Sequence, residues 1–121
     1  MEELSNADKL ESTKSLQSTI KKLESALSQM TQSGANTTLV QKRLHAVYIG
    51  LATLEHAWNQ KPHHYNDKEI AEAHKVLIGL TSSVEHSYAK SKAGSPQRTL
   101  LERRLKALEL AIQAIDDLSH T

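Results

Sequence analysis

The sequence predicts an all-α protein: an antiparallel up-down-up-down four-helix bundle built from two repeated helical hairpins, one domain over residues 1–121. Three observations carry this. Apolar residues recur at alternating spacings of four and three in four separate stretches, the signature of an amphipathic helix facing other helices. Turn residues punctuate the chain between those stretches at Gly34, Pro62 and Gly94-Ser95-Pro96. Finally, Thr38-Leu-Val-Gln-Lys-Arg-Leu-His-Ala46 is echoed by Thr99-Leu-Leu-Glu-Arg-Arg-Leu-Lys-Ala107, and the echo continues at Val47/Leu108, Ile49/Leu110, Leu51/Ile112 and Leu54/Ile115. An internal repeat of this length makes the chain two similar halves, about 5–60 and 66–121.

The first helix starts at Ser5-Asn-Ala-Asp8, where a capping hydroxyl precedes an acid three residues on. Its seam runs through Leu16, Ile20, Leu23, Leu27 and Met30, and Gly34 supplies the left-handed residue that ends it. Asn36 or Thr37 caps the second helix, whose seam is Val40, Leu44, Val47, Leu51, Leu54 and Trp58. Pro62 stops it near Gln60-Lys61, because proline disfavours helical geometry in the residue before it.

Asn66-Asp-Lys-Glu69 forms a capping box for the third helix, which buries Ile70, Ala73, Leu77, Leu80 and Val84 and ends near Tyr88. Gly50 and Gly79, inside the second and third helices, mark close helix–helix approach. Gly94 closes the third helix, Ser95 caps the fourth, and Pro96 takes its first position, where no amide partner is lost. The fourth seam is Leu101, Leu105, Leu108, Ile112 and Ile115, with fraying near Ser119-His120-Thr121. Short connections make the helices antiparallel neighbours in a monomeric bundle; exchange of hairpins between two chains is the alternative.

His64-Tyr65-Asn66-Asp67-x-Glu69, followed by Gln97-Arg98-x-x-Leu101-x-Arg103-Arg104-Leu105, resembles the YtzC-like group of small helical hairpin proteins from Bacillus and its relatives. The likeness covers the second half alone. It implies a helical hairpin in a cytosolic bacterial protein and brings no activity with it.

Composition narrows function by exclusion. Without cysteine there are no disulfides, thiolate zinc sites or cysteine nucleophiles. The start, Met1-Glu-Glu-Leu-Ser-Asn, is neither basic nor apolar, so no signal peptide is read, and the expected location is cytoplasmic. A net charge of +1 does not announce nucleic acid, and one Trp, three Tyr and no Phe are too few for a base-stacking platform. No Gly-rich phosphate loop or nucleophile elbow is present, and no cofactor is expected.

Two charge clusters follow from the up-down-up-down arrangement. It places the turns at 33–37 and 93–96 at one end, with Lys42, Arg43, Lys90, Lys92, Arg98, Arg103 and Arg104 beside two helix N-termini, a setting for anions. The bland alternative is that Arg43 and Arg104 are seam-flanking residues, and that Glu24, Glu55, Glu102 and Asp116 pair with neighbours. The other end would collect Glu2, Glu3, Asp8, Glu11, Glu55, Asp67, Glu69, Glu72, Asp116 and Asp117 with His56, His63, His64, His74 and His120. It lacks the His-x-x-x-His and Glu-x-x-His spacings that build metal sites on helices, so no metal site is expected. Glu55-His56 and Glu85-His86 are adjacent in helices, point about 100° apart, and make poor acid–base dyads.

The expected function is therefore a non-enzymatic helical protein-interaction module, an adaptor or regulator with an unknown protein partner. The alternative is binding of a nucleic-acid backbone or phosphorylated partner at the basic end. A homodimer through Leu10, Tyr48, Val76, Leu110 and Leu118 is the third reading.

Overall fold

The computed structural model describes residues 4–119. It contains α1 (Asn6–Ser33), α2 (Thr38–Asn59), α3 (Asp67–Lys90) and α4 (Pro96–Ser119), with no strand among the described residues. Met1, Glu2, Glu3, His120 and Thr121, including the expected fraying at the C-terminus, lie outside them.

The caps form as their chemistry dictates. Ser5 Oγ accepts the Asp8 amide at 3.0 Å, and Gly34 adopts φ 77° while Ala35 N–H donates to Met30 O. Asn36 Oδ1 accepts the Thr38 amide at 3.0 Å, whereas Thr37 at the N-cap makes no side-chain cap bond. The Asn66/Glu69 capping box is complete, at 2.8 and 3.3 Å, and Ser95 Oγ accepts the Arg98 amide at 3.1 Å. Two ends differ from expectation. Gln60, not proline geometry alone, ends α2 by entering the left-handed region at φ 54°. Gly94 does not close α3. That helix runs to Lys90, extended Ser91 is its C-cap, and Gly94 (φ 78°) serves the separate turn in which Ser95 N–H donates to Lys92 O.

The order of helix directions also differs. Within α1/α2, Tyr48 meets Glu24 (2.9 Å) and Lys9 lies over Trp58 (5.9 Å), so numbers rise on one helix as they fall on the other. The α3/α4 pair behaves alike, through Tyr88–Glu102 (2.9 Å) and His74–Asp116 (2.8 Å). Across α2/α3, however, His45 meets Glu69 (3.6 Å) and Gly50 abuts Leu77. Numbers rise together there, and the two helices are parallel. Were α3 reversed about the Gly50–Leu77 contact, His45 and Glu69 would stand about 20 Å apart along the axis at 1.5 Å per residue. Arg103 beside Glu11 (3.7 Å), with Ala111 beside Gly50, sets α4 parallel to α1 in the same way. The four-helix bundle is thus up-down-down-up.

The connection makes this order feasible. Residues 60–66 form an irregular strap that returns along α2, its rings seated on that helix: His63 on His56 (5.2 Å) and Tyr65 on His45 (6.0 Å). An extended chain from 59 to 67 reaches roughly 26–29 Å, enough for the climb of about 24 Å from the level of residue 59 to that of residue 43, where residue 67 stands when Glu69 is beside His45.

The two hairpins are related by an approximate two-fold axis. α2 and α4 touch across the centre, while α1 and α3 do not touch. One close approach joins repeat mates, since a Cβ on Gly50 would lie 3.1 Å from Ala111 Cβ; it would also lie 3.3 Å from Leu77 Cδ1. Gly50 therefore marks close approach, as expected. Gly79 does not, having nothing within 4 Å of such a Cβ. The same register extends to α1 and α3: Ser5/Asn66 are both N-caps, and Leu16/Leu77 are both fully buried.

All five expected α3 residues are buried, as are Val47, Leu54, Leu101, Leu108 and Ile115. α1 departs from its apolar seam. Leu16 and Ile20 are buried, but Leu27 and Met30 are only half-buried, and the inward stripe is continued by Ser12, Ser15 and Thr19. Thr19 satisfies its hydroxyl on Ser15 O at 2.9 Å, which lets a polar side chain sit in the core at little cost.

Candidate functional site

The parallel α2/α3 pair divides the expected basic cluster. Lys42 and Arg43 sit near the start of α2, at the end shared with the starts of α3 and the ends of α1 and α4. Lys90, Lys92, Arg98, Arg103 and Arg104 sit at the opposite end, with the 91–95 turn. The two tight turns are therefore at opposite ends, because the strap reverses the direction that a short antiparallel link would have given α3.

Within the second group, the guanidiniums are engaged or enclosed. Arg98 Nη1 donates to Ser91 O (3.1 Å) and Tyr88 O (3.3 Å), and its guanidinium lies 4.0 Å from the Tyr88 ring centroid, so it closes the end of α3. Arg103 faces Glu11 at 3.7 Å. Arg104 is 6 % exposed, its Nε has no partner, and burial pulls its pKa below the ordinary arginine value. Lys90 and Lys92 remain exposed.

The acidic and histidine cluster is divided as well. Glu55 and His56 lie at the strap's first turn, where Lys61 Nζ pairs with Glu55 (2.8 Å) and His56 Nδ1 meets Lys61 O (2.9 Å). Asp67, Glu69, His74 and Asp116 lie toward the other end. No group of three His, Asp or Glu side chains comes together to hold a metal among the described residues. The four seam-flanking acids all find neighbours: Glu24 with Tyr48, Glu55 with Lys61, Glu102 with Tyr88 and Asp116 with His74. The Tyr48 hydroxyl donates to the Glu24 carboxylate, and that bond raises the phenol's pKa above its ordinary value. His74 Nε2 lies 2.8 Å from Asp116 Oδ1 but is not aligned as a hydrogen bond.

Trp58, the last seam residue of α2, packs partly buried against the core, though its indole N–H has no acceptor among the described residues. Of the five proposed dimer positions, Leu10 (56 %) and Tyr48 (39 %) are exposed, while Val76, Leu110 and Leu118 pack against the core.

The surface that composition did not single out is a groove of about 470 Å³ between α1 and α4. Leu10 and Leu100 (42 % exposed) form its apolar floor, and Glu11, Lys14 and Arg103 its charged rim. Leu100 was visible as half of an echoed pair, but only the parallel packing of α1 and α4 reveals that Leu10 lies beside it. A second opening of about 590 Å³ lies between the start of α3 and the end of α4, around His74 and Asp116.

No helix among the described residues is long and apolar enough to cross a membrane. No family model matches the chain, and neither a curated protein nor a solved structure does.

Proposed function

We propose that the chain is a non-enzymatic helical interaction module, a cytoplasmic adaptor or regulator that receives a protein partner on the α1/α4 groove. One observation carries this reading: Leu10 and Leu100, 56 % and 42 % exposed, line the same concave strip between α1 and α4. Such a strip suits an amphipathic helix, whose apolar residues at helical spacing enter while its polar flanks meet the rim. The catalytic alternatives lack support. Glu55 and His56 are each bound to the strap, and Glu85 and His86 are exposed with neither drawn to the other. No observation favours the anion-binding alternative now that its residues lie at two ends.

The test is capture from native lysate by the tagged protein, with chemical cross-linking and washes at low and high salt. A protein that survives high salt and cross-links to α1 or α4 is the expected result, because apolar burial is little weakened by salt. Recovery of nucleic acid alone, lost steeply as salt rises, contradicts the reading.

A further inference from the structure

The α1/α4 groove changes character along the bundle axis. Toward the 91–95 turn its lining is apolar, with Ala7, Leu10 and Leu100. The next level is set by Glu11 and Arg103, 3.7 Å apart. Because α1 and α4 run parallel, three more residues on each helix bring Lys14 and Lys106 to a common level, about 4.5 Å further along. Ser15 and Ser18 line the groove at and beyond that level, and such small side chains leave room for another helix to approach.

Charge at the Lys14/Lys106 level is unbalanced. Lys14 lines the groove, Lys106 stands one turn beyond Arg103 on the same side of α4, and both are exposed. Neither forms an ion pair among the described residues. The acids one turn before them are already engaged: Glu11 faces Arg103, and Glu102 accepts the Tyr88 hydroxyl at 2.9 Å. Like charges gathered on neighbouring helices repel, and carboxylates of a partner would relieve that repulsion.

The leucine floor and the basic level together select the occupant. A nucleic-acid backbone would meet the cations but has nothing to seat on Leu10 and Leu100. A second copy laid groove to groove would bring Lys14, Arg103 and Lys106 against their own kind, at a cost to association. An acidic amphipathic helix suits both features, since its apolar stripe covers the leucines while its flanking carboxylates reach the lysines.

We propose that the α1/α4 groove docks one acidic amphipathic helix of a partner protein. An apolar side chain of that helix seats against Leu10 and Leu100, and carboxylates about one turn along it pair with Lys14 and Lys106. This rests on the interaction reading and adds to it the partner's charge and its secondary structure.

The probe is a synthetic helical peptide of about five turns, roughly 18 residues, with a leucine stripe at i, i+3, i+4 and i+7 and glutamate on its flanks. A counterpart replaces each glutamate with lysine. Calorimetric titration should give one acidic peptide per chain and at least about tenfold weaker binding of the lysine counterpart. Leu100→Glu should weaken the acidic peptide by at least about tenfold, whereas Leu39→Glu, at an exposed leucine of the other hairpin, should leave it unchanged. Lys14→Glu with Lys106→Glu should reverse the preference, so that the lysine counterpart binds more tightly. Circular dichroism checks that these surface variants remain folded, and light scattering should show the chain alone as a monomer. The proposal is overturned by no binding, equal binding of the lysine counterpart, equal losses for Leu39→Glu and Leu100→Glu, an unreversed preference, or a homodimer that Leu100→Glu abolishes. The two readings fail separately: a lysate partner cross-linked to α1 or α4 and held equally well by the Lys14→Glu, Lys106→Glu variant removes the acidic helix and leaves the interaction module standing.

Discussion

α1 and α3 occupy equivalent places in the two hairpins, yet they enter the core differently. Where α3 presents Ala73, Val76 and Leu80, the matching positions of α1 are Ser12, Ser15 and Thr19. Both helices keep the fully buried leucine between them, Leu16 or Leu77. The contrast teaches that a repeated fold requires shape at these positions more than hydrophobicity, provided hydroxyls can return to their own backbone as Thr19 and Thr53 do. It also makes α1 the less strongly held of the two, since each apolar side chain exchanged for a small polar one forgoes burial of apolar area.

The largest effects should come from the two central leucines. Leu77→Ala should cost roughly 3–5 kcal/mol, because its side chain fills the crossing beside Gly50, and Leu16→Ala should cost closer to 2–3 kcal/mol among its polar neighbours. Denaturant melts of both variants measure the gap, and equal losses would erase the proposed asymmetry.

The repeat mates Arg43 and Arg104 sharpen the comparison in charge. Arg104 is buried, its Nε without a partner among the described residues, whereas Arg43 is half-buried. Arg104→Met should stabilise by roughly 1–2 kcal/mol by removing a desolvated charge while keeping an apolar stem, and Arg43→Met should change little. The sign in pH follows from the lowered pKa. The folded state binds the Arg104 proton more weakly than the unfolded chain, so its penalty is complete at neutral pH and relaxes only as pH rises through the folded value. A gain in melting temperature for Arg104→Met that is the same at pH 6 and pH 8 checks this.

The two helical glycines should respond with opposite signs. Gly50→Ala brings a methyl to 3.1 Å from Ala111 Cβ and should destabilise by about 1–3 kcal/mol. Gly79→Ala meets open space and should stabilise by roughly 0.5–1 kcal/mol through helix propensity. The smallest effect is Ser12→Ala, which copies Ala73 into α1 and should add roughly 0.5 kcal/mol in the same melts.

Much of the fold was legible because local rules do not depend on topology. The caps at Ser5, Asn66 and Ser95, the left-handed Gly34 and every apolar seam residue of α3 follow from spacing and side-chain chemistry. The direction of α3 was not legible. Seven residues between helices serve equally as a loose antiparallel turn or as an extended strap, and the choice lies in ring contacts of His63 and Tyr65 that no pattern encodes. That one ambiguity carried the two basic turns to a common end on paper and separates them in the molecule. Arg104 was unreadable for a related reason. Its surrounding sequence matches that of Arg43, and only the packing against its own neighbours distinguishes a buried guanidinium from a half-buried one. The α1/α4 groove needed the parallel pairing of helices far apart in sequence.

The absence of cysteine makes the helix order directly measurable, because introduced cysteines are the only labelling sites. Spin labels at Lys42 and Lys68, on neighbouring parallel helices near one end, should lie close together by pulsed electron resonance. Labels at Lys42 and Lys92 should be separated by nearly the bundle length, roughly 30–35 Å at 1.5 Å per residue. That result would establish the up-down-down-up order that sets α4 parallel to α1 and brings Leu10 beside Leu100. The reverse pattern, with Lys42 far from Lys68 and near Lys92, would restore the up-down-up-down order, bring the basic turns back to one end, and remove the parallel α1/α4 pairing on which the groove depends.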